Sequence, residues 1–231
     1  MNKKKLVVLS GAGISQESGI KTFRDSNGLW ENHDILEVAS PEGWRKNQKL
    51  VQEFYNKRRK QAQECQPNEA HRILANLEEQ MDVTIITQNV DDLHERAGSS
   101  QVIHLHGELS KAQSGINPEL IYPIKGWEIK EGECCELGSQ LRPHIVWFGE
   151  PVPKMDDAIQ FAGIADYFLV VGTSLQVYPA AGLINYVPNE AKKFIVDLQK
   201  PNYHLSNDMI FIEKKASEGL KLLESIILGE L

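Results

Sequence analysis

The chain has 231 residues, of which 41% are hydrophobic and 25% charged, and its formal net charge is −7. This composition predicts a globular protein with a sizeable core, and the acidic excess argues against nucleic acid as a partner, because phosphate binding needs clustered Lys and Arg. No apolar run approaches the roughly 20 residues that span a bilayer, so no membrane partner is expected either.

Short apolar runs bounded by turn residues alternate with helical patterns along the chain. A first strand is predicted at Leu6–Leu9, directly before a glycine-rich turn. One helix is predicted from Ser40, a cap residue followed by proline, through Ala62, and further helices follow Pro67 and begin near Ala216. The other predicted strands are 83–87, 168–171, 194–196 and 209–212.

This alternation predicts an α/β fold with a doubly wound, Rossmann-like parallel sheet, in which ligands bind beyond the carboxyl ends of the strands. Two stretches interrupt the rhythm, a helical pair between Trp30 and His71 and a segment rich in Gly and Pro from 108 to 141. We expect both to build a smaller inserted lobe. The larger domain would comprise 1–29, 72–107 and 142–231, and the small lobe 30–71 and 108–141.

The first candidate site is the glycine-rich turn Gly11-Ala12-Gly13 after the first strand. Glycines there permit a tight turn and let backbone N–H groups approach a pyrophosphate. The dinucleotide fingerprint of dehydrogenases needs a third glycine at position 16, but this chain has Gln16. The loop therefore favours nucleotide binding only modestly over a purely structural turn.

Polar residues follow three other predicted strands. Gln88, Asn89 and Asp91 stand where such a sheet binds its ligand, although Asn and Asp could equally cap the following helix. Small and acidic groups at later strand ends are Gly172, Thr173, Ser174 and Asp197.

Two histidines alternate in His104-Leu105-His106-Gly107, so on a strand they would share a face. Imidazole titrates near neutral pH and suits general base catalysis. For a histidine taken alone, a structural role is the competing interpretation.

Taken together, the motifs resemble the sirtuin family of NAD-dependent protein lysine deacylases, over nearly the whole chain. In order, 11–24 is similar to the family's NAD loop, 87–91 to its T-Q-N-[IV]-D motif, 106–107 to its catalytic histidine pair, 143–150 to its substrate-binding segment and 172–174 to its G-T-S motif. The resemblance implies that the larger domain binds NAD as a co-substrate and that the partners are acylated lysine side chains of proteins.

The resemblance also implies roles for individual residues. His106 and Asn89 would be catalytic, and Val146, Trp147 and Phe148 would pair their backbone with an extended peptide. Phe23 and Arg24 would close over the nicotinamide ribose. The implied NAD-binding set is Gly11, Ala12, Gly13, Glu17, Phe23, Arg24, Gln88, Asn89, Asp91, Gly172, Thr173, Ser174, Asp197 and Ala216.

The reaction implied by the resemblance consumes NAD. The acyl oxygen of a modified lysine attacks the anomeric carbon of the nicotinamide ribose, and nicotinamide leaves. His106 then acts as general base on a ribose hydroxyl, and water releases free lysine and O-acyl-ADP-ribose.

The cysteines depart from the family pattern, which has two C-x-x-C pairs after the catalytic histidine. This chain has only Cys134 and Cys135 there, and adjacent residues cannot form such a clamp, so we predict no structural zinc. With Cys65 the count is three, a poor disulfide framework that is typical of a reducing compartment. The start of the chain does not read as a signal peptide, and we expect a cytoplasmic protein.

Tyr55 and Arg58 are three residues apart on a predicted helix and therefore share a face. The pair resembles that of the sirtuin subgroup removing succinyl, malonyl or glutaryl groups, and an arginine fork matches the carboxylate that ends such groups. The alternative is that Arg58 belongs to a solvated basic run, Lys57 to Lys60, with Tyr55 in the core of the lobe.

Four other functions remain open at this stage. A dehydrogenase would reduce NAD, a binding module would hold NAD without releasing nicotinamide, and a mono-ADP-ribosyltransferase would leave the ADP-ribose on its target. A simple deacetylase would show no preference for acidic acyl groups.

Overall fold

The predicted apolar runs lie side by side as strands of one sheet. The structure is a computed structural model and describes residues 3–21, 29–30, 33–201 and 209–229. Within these ranges the strands are β1 (Lys5–Ser10), β2 (Leu29–Trp30), β3 (His33–Asp34), β4 (Asp82–Thr87), β5 (Val102–His104), β6 (Gly107–Ser114), β7 (Ile121–Pro123), β8 (Leu141–Ile145), β9 (Tyr167–Val171), β10 (Lys192–Asp197) and β11 (Met209–Glu213). The helices are α1 (Ile35–Val38), α2 (Pro41–Lys46), α3 (Gln48–Glu64), α4 (Glu69–Asn76), α5 (Leu93–Ala97), α6 (Met155–Ala162) and α7 (Ala216–Leu228).

The main sheet has six parallel strands in the order β11-β10-β9-β1-β4-β5. The chain builds outward from β1 through β4 and β5, then returns to the other side of β1 and builds outward through β9, β10 and β11. This is the doubly wound, Rossmann-like topology, and it confirms the predicted fold class. The strand order reverses between β1 and β9, and the carboxyl ends of these strands are the expected place for a ligand.

Strand β1 shows why the predicted strands are apolar throughout instead of alternating. Leu6 and Val8 pack on the face covered by α4 and α7, whereas Val7 and Leu9 pack on the opposite face, against α6 and the short 3-10 helix Ala180–Tyr186. Side chains alternate between the two faces of a strand, and both faces of this sheet are buried. All four side chains are almost fully shielded from solvent.

The single helix predicted from Ser40 to Ala62 is wrong in one respect, because the structure has two helices there, α2 and α3. Ser40 caps α2 as predicted, its Oγ accepting from the Gly43 N–H at 2.9 Å. Asn47 leaves helical geometry, with φ −152°, and its Oδ1 accepts from the Leu50 N–H at 3.1 Å. Asn47 therefore ends one helix and caps the next, which the apolar spacing did not reveal.

A second, antiparallel sheet in the order β7-β6-β8 was not predicted from the sequence. Behind it lies a small apolar cluster that includes Ala112, Ile129 and Leu141. The two adjacent cysteines point to different surroundings, because Cys135 is buried in this cluster and Cys134 is exposed. The division of the chain into a larger domain and a small lobe stays a prediction. None of the helices in the described ranges is long and apolar enough to cross a membrane.

Candidate active site

A cavity of about 1150 Å³ opens at the carboxyl ends of the parallel strands, where their order reverses. The glycine-rich turn after β1 forms one wall and packs closely on the turn after β9. Gly11 and Gly13 donate their N–H groups to the carbonyls of Val171 and Gly172, at 3.0 and 2.8 Å. A Cβ on Gly13 would lie 2.6 Å from the Gly172 Cα, and Gly172 itself has φ +62°. Glycine is therefore required where the two turns meet. The N–H groups of Gly11 and Gly13, expected to approach a pyrophosphate, instead have partners within the protein.

Every predicted site residue in the described ranges lines this one cavity. Phe23 and Arg24, which we expected to close over the nicotinamide ribose, lie outside the described residues, and the individual roles stay predictions. The lining residues that the sequence pointed to are Gly11, Ala12, Gly13, Glu17, Tyr55, Arg58, Gln88, Asn89, Asp91, His106, Val146, Trp147, Phe148, Gly172, Thr173, Ser174, Asp197 and Ala216.

Asn89 and Asp91 are buried and fastened to the glycine-rich turn. The Asn89 amide donates to the Gly11 carbonyl at 3.2 Å and to the Ser15 hydroxyl at 3.1 Å, and the same hydroxyl donates to Asp91 Oδ2 at 3.2 Å. Burial raises the pKa of the Asp91 carboxyl, although the hydrogen bonds from the Leu93 N–H and Ser15 oppose this effect. Asp91 also accepts from the Leu93 N–H at 3.2 Å, although the cap position of α5 belongs to Asp92. The role of Asp91 at a ligand stays a prediction.

His106 is arranged as a base. Its Nδ1 lies 3.1 Å from the Gln88 carbonyl oxygen. A carbonyl can only accept, so Nδ1 carries the proton and Nε2 of the neutral ring keeps a free lone pair. Burial lowers the pKa of His106 below its ordinary value, and the hydrogen bond to Gln88 only partly offsets this effect. The ring is therefore neutral at pH 7.

His104 bonds the next carbonyl of the same segment. Its Nδ1 lies 3.1 Å from the backbone carbonyl oxygen of Asn89, and its Nε2 lies 2.6 Å from Glu95 Oε1. Sequence reasoning named the two histidines together but assigned a role only to His106. Glu95 was missed, because its place on α5 beside His104 is a tertiary contact.

Tyr55 and Arg58 enter the cavity from α3. Tyr55 is fully buried, and its hydroxyl accepts from the Trp147 indole N–H at 3.1 Å. Burial raises the pKa of Tyr55, and the nearby positive charge of Arg58 opposes that rise. Arg58 is half-buried, with its guanidinium carbon 5.9 Å from the centre of the Phe54 ring. The side chains of the predicted acyl pocket are thus neighbours in space.

An ion pair between Arg142 and Glu150, which was not predicted from the sequence, contacts the segment Val146–Phe148 at Trp147. Arg142 bonds both carboxylate oxygens of Glu150, at 2.7 and 2.9 Å, and lies 3.5 Å from the centre of the Trp147 ring. Glu150 also accepts from the Trp147 backbone N–H at 2.8 Å. Phe148 remains 44% exposed at the mouth of the cavity. The backbone N–H groups of Val146 and Phe148 donate to the His106 and Ala39 carbonyls, at 2.9 and 3.0 Å. All three N–H groups of the segment are therefore bonded within the protein, and an incoming chain would have to bond its carbonyls.

Glu17 uses its carboxylate within the protein. Its two oxygens accept from the N–H and the hydroxyl of Ser217, at 3.0 and 2.6 Å, beside Ala216 in the first turn of α7. A carboxylate at this end of a helix is favourable because the first N–H groups of a helix lack internal partners. Glu17 thus ties the glycine-rich turn to α7 at the predicted adenosine end of the cavity.

Comparison with known proteins gives one family and many relatives. Residues 11–179 match the Sir2 family. The chain is 50% identical over 230 residues to an NAD-dependent protein deacylase of Bacteroides thetaiotaomicron, covering 97% of this chain and 98% of that protein. It is 52% identical over 220 residues to an NAD-dependent protein deacylase of Helicobacter pylori strain 26695, covering 94% and 95%.

Solved structures agree with this assignment. A Sir2 homologue in complex with ADP-ribose superposes with a TM-score of 0.88 at 36% identity, covering 99% of this chain and 93% of that one. A Sir2 homologue in complex with NAD gives a TM-score of 0.87 at 36% identity, covering 99% and 91%. A Sir2 variant with a deacetylated p53 peptide and 3′-O-acetyl ADP-ribose gives 0.79 at 29% identity, covering 99% and 95%.

Proposed function

The chain belongs to the Sir2 family of NAD-dependent protein deacylases, and we propose that it acts on lysine side chains carrying succinyl or malonyl groups, and on acetylated lysine as well. NAD is the co-substrate, and the products are nicotinamide, free lysine and O-acyl-ADP-ribose. The observation that carries the acyl preference is that Tyr55 and Arg58 line the same cavity as His106.

The chemistry of the pair supports an acidic acyl group. The guanidinium of Arg58 is a fork of donors that matches a carboxylate, and hydrogen bonds between charged groups are about twice as strong as neutral ones. Tyr55 adds a hydroxyl beside it, held in place by Trp147. Half-burial of Arg58 removes part of the competing water, which strengthens its attraction for an anion.

The solvated basic run, the alternative interpretation of Arg58, separates into three environments. Lys57 and Lys60 are exposed, Arg59 is buried, and Arg58 lines the cavity. Only Lys57 and Lys60 fit the description of a solvated face. This separation favours a binding role for Arg58.

The remaining roles follow the same chemistry. We assign His106 as the general base, with its Nε2 taking a proton from a ribose hydroxyl of the bound dinucleotide, a contribution typically worth about 10²- to 10⁴-fold in rate. Asn89 and Asp91, anchored through Ser15, would line the nicotinamide and ribose pocket. Backbone carbonyls of Val146–Phe148 would accept from the substrate peptide as an added strand, since the three N–H groups of the segment are bonded within the protein.

The test compares one peptide carrying succinyl-lysine with the same peptide carrying acetyl-lysine. Arg58→Met should lower kcat/KM for the succinyl peptide by about 10- to 100-fold, because a charge-assisted pair is worth about 1.5–3 kcal/mol. Activity on the acetyl peptide should change by no more than about twofold, since an acetyl group offers no carboxylate to the arginine. Mass spectrometry of the released O-acyl-ADP-ribose measures both.

Lys57→Met is the matched control, because it removes an exposed positive charge from the same helix and should leave both activities unchanged. His106→Ala should abolish both. Equal loss of the two activities in Arg58→Met would contradict the acyl preference and leave a simple deacetylase. Label from the adenosine part of NAD that stays on the target protein would indicate mono-ADP-ribosyl transfer.

A further inference from the structure

The proposed reaction uses one histidine of the His104-Leu105-His106 motif and leaves the other without a role. We infer that His104 is a positioning residue that works as an imidazolium ion, paired with Glu95 and holding the carbonyl of Asn89 in place behind the catalytic cavity. The inference rests on the roles proposed above for Asn89 and His106, but not on the acyl preference.

The two hydrogen bonds of His104 define its protonation state. The Asn89 carbonyl, 3.1 Å from Nδ1, can only accept, so Nδ1 must carry a proton. The Glu95 carboxylate, 2.6 Å from Nε2, is also an acceptor when ionised, so Nε2 carries a proton as well. A ring with both nitrogens protonated is a cation, and the short distance to Glu95 is typical of a charged pair.

The alternative is a neutral ring accepting from a protonated Glu95, and the surroundings disfavour it. The Glu95 side chain is 41% exposed, so water stabilises its ionised form. Burial alone would raise the pKa of Glu95, but its hydrogen bond to His104 and the positive charges of His104 and Lys111 bring it below its ordinary value. The charged pair is therefore the stable form at neutral pH.

The surroundings of His104 contain groups that raise its pKa, and burial lowers it. Glu108 on β6 carries negative charge near the ring and favours the cation, although Glu108 is itself paired with Lys111 at 2.7 Å. The two neighbouring imidazoles, His94 and His144, both have a lowered pKa and are neutral at pH 7, so they add no repelling charge. Burial lowers the pKa of His104, but Glu95, Glu108 and the Asn89 carbonyl outweigh burial and raise it.

The contact between His104 and Asn89 completes a set of hydrogen bonds to the side chain, the backbone N–H and the carbonyl of Asn89. Its side-chain amide bonds Gly11 and Ser15, and its backbone N–H donates to the Thr87 hydroxyl at 3.0 Å. Its carbonyl is bonded by His104, two residues before the base His106, which bonds the preceding carbonyl. The two imidazoles therefore hold consecutive peptide units of the segment that lines the cavity.

A pH dependence follows, with opposite signs for the two histidines. His106 must be neutral to act as a base, so its protonation ends activity on the acid side. His104 must be charged to keep both hydrogen bonds, because a neutral ring has one proton for two acceptors. The Glu95 carboxylate is the stronger acceptor and keeps that proton on Nε2, so deprotonation removes the bond to the Asn89 carbonyl on the alkaline side. Because the pKa of His104 is raised, both bonds are complete below that pKa, and the bond to Asn89 is lost as pH rises through it.

The direct test is ¹⁵N NMR of the imidazole nitrogens in the ligand-free protein, which needs no assumption about the reaction. At pH 7, His104 should be doubly protonated in the wild type. In Glu95→Gln, its titration midpoint should fall by about one pH unit or more, a tenfold or larger change in the protonation constant. A neutral His104 at pH 7 in the wild type would overturn the inference, whatever the protein's activity.

The kinetic test uses the acetyl-lysine peptide and the pH profile of kcat/KM for NAD. Glu95→Gln should move the alkaline limb to lower pH by the same interval as the NMR midpoint. His104→Asn keeps an N–H donor that cannot titrate and should retain most activity without that limb, whereas His104→Leu should lose about tenfold across the whole range. Asp92→Asn, which removes another carboxylate at the start of the same helix, is the control and should leave the profile unchanged.

The variants separate positioning from simple structural support. An unchanged alkaline limb in Glu95→Gln would show that His104 does not act through its charge. Equal loss in His104→Asn and His104→Leu would show that the N–H donor is not what matters. Absence of NAD cleavage in the wild type would contradict the proposed function and still leave the NMR result as the decision on the charge of His104.

Discussion

Two histidines two positions apart have opposite protonation because their second nitrogens have different surroundings. His106 bonds one carbonyl and otherwise faces the cavity, so burial dominates and lowers its pKa. His104 has the carboxylate of Glu95 as its second partner, and this charge outweighs burial. At the residue scale the partner, not the sequence position, decides which imidazole is a base and which is a cation.

The acid limb of the pH profile tests the state of His106. Because burial lowers its pKa, the neutral base persists below the ordinary histidine value of about 6.5, and we expect activity to fall only as pH drops below that value. The measurement is single-turnover transfer of the acyl group to ADP-ribose between pH 5 and pH 8. Half-maximal activity at or above the ordinary value would contradict a buried neutral base.

Helix α3 lines the cavity with one of its faces and bonds the segment 109–141 with another. One face presents Tyr55 and Arg58 to the cavity. The other carries a row of polar side chains that donate to main-chain carbonyls of the segment 109–141: Gln52 to Leu141, Asn56 to Ile129, Arg59 to Leu109 and Trp127, and Gln63 to Gly126. This row therefore attaches the antiparallel sheet and the loops between its strands to α3.

Arg59 is the centre of that row, and its removal should destabilise the protein. Arg59→Met leaves the Leu109 and Trp127 carbonyls without their side-chain donor, at a cost of about 1–3 kcal/mol for each unsatisfied group. The Asn56 amide oxygen loses one of two donors and keeps the Ile129 N–H at 3.0 Å. We expect a loss of about 3 kcal/mol in the free energy of unfolding, measured by urea denaturation. Lys57→Met on the exposed face should change it by less than about 0.5 kcal/mol.

The described residues form a six-stranded parallel sheet, a three-stranded antiparallel sheet and the two-stranded pair β2-β3. The three-stranded sheet packs on an apolar cluster. A structural zinc needs four ligands, usually cysteine or histidine. The chain has only three cysteines, Cys135 donates to the Ser114 hydroxyl at 3.3 Å inside the cluster, and Cys134 is exposed. In the described part of the chain, no group of three or more His, Cys, Asp or Glu side chains could hold a metal ion.

Metal removal should therefore have no effect. After dialysis against a strong chelator, we expect the melting temperature and the deacylation rate to stay within error of the untreated protein. Elemental analysis of the untreated protein should find far less than one zinc per chain. A chelator-dependent fall in melting temperature, restored by zinc, would contradict the prediction.

The fold class and the order of the site motifs follow from local patterns in the sequence. Strands buried on both faces need continuous apolar runs. The turn after β1 needs glycine because it packs closely on a neighbouring turn. Both requirements leave a local pattern in the sequence. The same is true of the pair at Tyr55 and Arg58, whose spacing places them on one face of a helix. From these patterns the parallel sheet and one shared cavity could be expected.

Contacts between distant segments, in contrast, depend on how the chain folds in three dimensions. The break at Asn47, the antiparallel sheet, and the pairs of Glu17 with Ser217 and Arg142 with Glu150 have no periodic signal. Each hydrogen bond or ion pair needs two partner atoms, and in these cases the second atom belongs to another element of the chain. For this reason the sequence could name the residues of the site, while their protonation states depended on how the elements pack together.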